Sequence, residues 1–182
     1  MMRAVVVYES MFGNTRQIAE AIADSMSQLT PVDVMNVNWD GVSAIGDADL
    51  LVIGAPTHAH SLSTPASRQE AVEWANDPHR ELNLDPDAMG IGVREWLDLH
   101  PTTPESYAAF DTRADMIRLF TGAASTAIDR ILRRRGLNEV VSPESFTVSM
   151  HNELKDGELD RARAWGRKIA EAALARHGAS QV

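Results

Sequence analysis

Ala4 to Tyr8 (AVVVY) is an uninterrupted apolar run, mostly β-branched, and Asp49 to Gly54 (DLLVIG) contains a second one. Successive side chains of a strand point to opposite faces, so a run with no polar interruption suits a strand covered on both sides. Between the two runs, Ile18, Ala19, Ile22, Ala23 and Met26 recur at helical spacing and predict a helix from about Asn14 to Gln28. Pro31 then opens a second strand, Val32 to Val37. A strand, a helix and a strand in that order are the unit from which parallel sheets are built.

The rest of the chain continues the alternation. Ala55 to Pro65 is turn-rich, with two prolines and no helical period. Ala66 to Leu99 reads as a broken helical excursion, with one helix around Val72 and Trp74 to Ala75 and another at Arg94 to Leu99. Tyr107 to Phe110 predicts a short fourth strand, Ala123 to Arg135 a helix stopped by Gly136, and Phe146 to Met150 a fifth strand. Glu158 to Arg176 closes the chain as an amphipathic helix, with Leu159, Ala162, Trp165, Ile169, Ala173 and Leu174 along one side. Five strands alternating with helices imply parallel pairing, right-handed crossovers and helices on both faces, an α/β sandwich. No repeat or linker divides the 182 residues, so a single domain over 1–182 is expected.

Composition narrows the function. A formal net charge of -9 argues against sequence-independent nucleic-acid binding, which needs a basic surface to replace phosphate counterions. With no cysteine, the chain has no disulfide, thiolate nucleophile or iron-sulfur ligation, so redox chemistry would need a bound cofactor. The apolar N-terminal run is too short for a signal-peptide core or a membrane span, and a cytoplasmic protein is expected.

The first strand runs into Ser10-Met11-Phe12-Gly13-Asn14-Thr15 and then directly into a helix. Free N–H groups at a helix start, with the positive end of the dipole behind them, stabilise a phosphate. Gly13 supplies backbone freedom, and Ser10, Asn14 and Thr15 supply short polar side chains. No lysine follows the glycine as it would in a P-loop, so the turn is suited to holding a phosphate and not to cleaving it. The competing reading is that the same residues simply cap the helix.

Tyr8-Glu9-Ser10-Met11-Phe12-Gly13-Asn14-Thr15 resembles the phosphate loop of the flavodoxin family, a hydroxyl residue followed by two positions and then Gly-Asn-Thr. Asp49 to Thr57 (DLLVIGAPT) is similar to that family's third strand and the start of its second flavin loop, and the final helix after the fifth strand also fits. The resemblance implies a flavodoxin-like three-layer sandwich whose five-stranded parallel sheet has the order 2-1-3-4-5. It implies FMN at the carboxyl edge of that sheet, where the order reverses. FMN contacts are then expected from Ser10 to Thr15, from Pro56, Thr57, His58, Ala59 and His60, and from Asp111, Thr112 and Arg113 after the fourth strand.

Three features differ from the common family pattern. Phe12 stands where many members carry threonine, the second loop offers His58 and His60 in place of Trp or Tyr, and Asp111 to Ala114 lacks the glycine-rich or tyrosine-bearing third loop. The implied function is redox chemistry through FMN: electron transfer to a partner protein, or reduction of a quinone or other small acceptor by a nicotinamide. A cofactor-free binding protein on the same fold is the alternative. No side chain is assigned a catalytic role.

Other conspicuous residues have plainer readings. His58 and His60 share one side of an extended segment but lack a third ligand nearby, so no metal site is expected. Arg133 to Arg135 complement a helix C-terminus. Trp74 and Trp96 are either packing residues or the border of a ligand cleft. The serines lack a strand-turn-helix nucleophile signature, which argues against a hydrolase.

Overall fold

A computed structural model describes residues 1–39, 45–58, 61–101, 104–115 and 122–179. Its elements are β1 (Ala4–Tyr8), α1 (Asn14–Ser27), β2 (Val32–Asn36), β3 (Leu50–Pro56), α2 (Pro65–Ala75) and α3 (Val93–Leu99). They continue with β4 (Ser106–Ala114), α4 (Ala124–Arg134), β5 (Asn138–Glu139), β6 (Glu144–Val148) and α5 (Glu158–Ala179).

All strand pairs are parallel, in the order β2-β1-β3-β4-β5, with β6 also on β4. The order 2-1-3-4-5 is therefore present, with its fifth position shared by two segments. β5 pairs Ser106 and Tyr107, and β6 pairs Phe110 to Ala114.

The alternation of β1 sorts the core into two layers. Ala4, Val6 and Tyr8 face α1 and α5, whereas Val5 and Val7 face α3 and α4. Every β1 residue is buried, as a central strand requires. In the first layer Phe110, Phe146 and Trp165 meet edge to face with centroids 6.2 to 6.3 Å apart, an arrangement favoured by the ring quadrupoles. In the same layer α1 and α5 touch at Gly166, where a Cβ would lie 2.6 Å from the Ile22 carbonyl oxygen.

Strand boundaries differ from expectation: β3 runs on to Pro56 and β6 starts at Glu144. The fourth strand runs from Ser106 to Ala114 and not from Tyr107 to Phe110, so Asp111, Thr112 and Arg113 are strand residues and not a loop. The fully buried Asp111 is accommodated because its carboxylate accepts the Ser125 N–H at 2.9 Å, at the start of α4. The fifth strand ends at Val148, because the Ser149 hydroxyl accepts the N–H groups of His151 and Glu153 and turns the chain.

Candidate functional site

At the carboxyl ends of β1, β3, β4 and β6 lies a cleft of about 860 Å³. Its base is the turn between β1 and α1. Gly13 occupies the position before the helix with φ 85°, a left-handed conformation that favours glycine. No side chain caps α1, so the N–H groups of its first turn are not satisfied in the way serine, asparagine or threonine would satisfy them at an N-cap.

The polar side chains of the turn are arranged around that open helix start. The Ser10 hydroxyl accepts the Gly13 N–H at 3.1 Å and keeps its own hydrogen. Thr15 and Thr112 hydroxyl oxygens are 2.7 Å apart. Only one hydrogen can lie between them, so the second is directed elsewhere. Asn14 Nδ2 donates to the Asn152 backbone oxygen at 2.8 Å and to Asn152 Oδ1 at 3.2 Å.

The end of β3 supplies Pro56, Thr57 and His58. The Thr57 N–H donates to the Thr112 carbonyl at 2.8 Å and its hydroxyl accepts the Ala124 N–H at 2.9 Å, which ties the β3 end to β4 and α4. His58 and Ser61 exchange backbone hydrogen bonds at 2.9 and 2.8 Å. Burial, followed by the nearby Arg68 guanidinium, lowers the His58 pKa and keeps the imidazole neutral. Its Nε2 is buried and has no hydrogen-bond partner among the described residues. His58 borders the cleft with other atoms, while this nitrogen is shielded from it.

Of the residues singled out in the sequence, Met11, Phe12, Asn14, Thr15, Pro56, Thr57, His58, Thr112 and Arg113 line this one cleft. Ser10 and Gly13 shape the turn beneath it. Asp111 is fully buried beside α4 and does not line the cleft. Ala59 and His60 lie outside the described residues.

Two further segments also line the cleft. From α2 and the stretch after it come Trp74, His79 and Arg80, with the Arg80 guanidinium carbon 5.1 Å from the Trp74 ring centroid. Trp74 is half-buried and lines the cleft. The second segment is the turn at 149–153, with Met150 highly exposed and Asn152 at φ 59°. Sequence reasoning missed this turn; its one signal was an asparagine four residues beyond the strand, a residue type that tolerates left-handed backbone.

Behind the cleft, buried Glu9 accepts the Val93 N–H at 2.8 Å. Arg68 bonds Ser63 Oγ at 2.9 Å and pairs with Glu95 at 3.0 Å. Burial raises the Glu9 pKa, and Ser63, the Val93 amide and Arg68 oppose it. Among the described residues no group of three or more histidines or acids could hold a metal ion. No described helix is long and apolar enough to cross a membrane.

Residues 5–70 match the sequence model of the flavodoxin domain family. No curated protein matches the chain. Among solved structures, a flavodoxin from the domain Archaea superposes with a TM-score of 0.63 at 20% identity, covering 94% of this chain and 99% of that one. Oxidised flavodoxin 2 from Bacillus cereus gives 0.63 at 17% identity, with 93% and 98% covered. A flavodoxin, WrbA-like protein from Agrobacterium tumefaciens gives 0.61 at 19% identity, with 96% and 99% covered. At these identities the structural likeness is one of fold.

Proposed function

We propose that this chain, flavodoxin-like in fold and matched to the flavodoxin domain over residues 5–70, binds FMN in the cleft and acts as a redox protein. The observation that supports this most directly is the uncapped start of α1 opening into a cleft along the carboxyl ends of β3, β4 and β6. The first-turn N–H groups and the Ser10 and Thr15 hydroxyls are suited to hold the phosphate. Thr57 and His58 stand further along the same cleft, beside the position the flavin ring would take. Trp74, Phe12 and Met150 provide apolar surface that excludes water. When bound, FMN supplies electron-transfer and hydride chemistry that no side chain of this cysteine-free sequence provides.

The visible spectrum of freshly purified protein, followed by calorimetric titration of flavin-stripped protein with FMN and with riboflavin, tests this reading. Flavin absorbance and a marked preference for FMN are expected; absence of binding would overturn it. The same titration decides on a cofactor-free binding protein, a reading favoured by the engagement of both Asn14 amide hydrogens with Asn152. Steady oxidation of a nicotinamide in the presence of a quinone would mark a reductase, and its absence in an FMN-loaded protein a carrier.

A further inference from the structure

A second cleft, of about 610 Å³, opens on the other side of the α1 start, between that helix and the segment 152–160. It shares Phe12, Asn14, Asn152 and Glu153 with the main cleft. The phosphate turn is therefore open in two directions, and a mononucleotide, which ends at its phosphate, fills only one of them. We infer, on the basis of the FMN reading above, that the chain also accepts flavin adenine dinucleotide, with the flavin end in the main cleft and the adenosine end in the second.

The seam between the clefts suits a pyrophosphate. There the Asn14 amide donates to the backbone and side-chain oxygens of Asn152, with Phe12 and Glu153 beside them. Phosphoryl oxygens are acceptors of the same kind, so they can take over the Asn14 donors and leave no amide unpaired.

Beyond the seam the walls suit a nucleoside better than another anion. Leu154 and Leu159 offer apolar surface, and Gln17 offers an exposed amide of the type that pairs with the N6 and N7 edge of adenine. Lys155 and Arg163 are matched by Glu153, Asp156 and Asp160, and both cations are already ion-paired, to Asp115 and Asp160 respectively. The second cleft thus has no surplus positive charge for a free phosphate.

Calorimetric titration of the flavin-stripped full chain with FMN and with flavin adenine dinucleotide tests the assignment. Gln17 lines the second cleft and not the first, so Gln17→Trp fills the adenosine position from an exposed helix face. Asp160→Trp, also exposed, fills it from α5 and is an independent variant should the first fold poorly. Wild type is expected to bind the dinucleotide about tenfold more tightly than FMN, and each variant to lose about that factor for the dinucleotide alone. FMN binding with no gain from the adenosine end, or an equal loss for both ligands, overturns this inference and leaves the FMN reading standing. Binding of neither flavin overturns both.

Discussion

Thr15 and Thr112 come from opposite ends of the site, one from the first turn of α1 and the other from the carboxyl half of β4, and their hydroxyls meet at 2.7 Å. The pair has one hydrogen more than it consumes, and a phosphate oxygen is its natural acceptor. Thr15→Ala removes a hydrogen bond to a charged group and is expected to weaken FMN binding by about 1.5 to 3 kcal/mol. Riboflavin, without the phosphate, should bind the two proteins alike; calorimetry with both ligands checks this. Glu9 gives a second residue-scale expectation. Burial raises its pKa above the ordinary 4.5, so above that pH the folded state holds a proton that the unfolded state has lost. Stability contributed by this group is complete below 4.5 and is lost as pH rises through the raised folded value. Glu9→Gln keeps an acceptor for the Val93 N–H and removes that dependence. The melting temperature of wild type should therefore fall relative to the variant as pH rises from 4.5; parallel curves would mean that Glu9 titrates normally.

At the scale of elements, α1 and α5 meet against backbone at Gly166. Alanine in place of Gly166 would gain helix propensity, but its Cβ would meet the Ile22 carbonyl oxygen at 2.6 Å and Ser25 Oγ at 2.7 Å. Backbone cannot rotate out of the way, and Gly166→Ala is expected to destabilise the fold by about 1 to 3 kcal/mol in denaturant titration. The elements legible in the sequence were those with an unbroken signal. β1, α1, β2 and β3 were readable because apolar runs and a 3.6-residue period follow directly from burial on two faces or on one. β4 was read too short because Asp111, Thr112 and Arg113 are polar, and what keeps them in the strand is tertiary: the Ser125 amide on Asp111 and Thr15 on Thr112. Half of the cleft was legible for the same reason, since the β1 turn and the β3 end are local motifs. The 149–153 turn was not, because its place depends on an asparagine pair 138 residues apart in sequence.

At the scale of the whole molecule, a net charge of -9 and a ligand site at the sheet edge have separate consequences. The charge comes from residues 1–91, where acids far outnumber bases while residues 92–182 balance, and it favours solubility. The proposed FMN site draws on the ends of β1, β3, β4 and β6 and on the segment after α2, which meet only in the folded state. FMN that binds the native chain and not the unfolded one must therefore raise the melting temperature by linkage. At a free concentration one hundred times the dissociation constant the gain is about 2.7 kcal/mol, and for a domain of this size that amounts to roughly 5 to 10 °C. Because the open α1 start supplies donors that only a phosphate uses, riboflavin at the same concentration should give a distinctly smaller rise. Thermal melts of flavin-stripped protein with FMN, with riboflavin and with inorganic phosphate check this. Equal shifts for FMN and riboflavin would place the binding energy in the ring alone, and would remove the turn from Ser10 to Thr15 from the site.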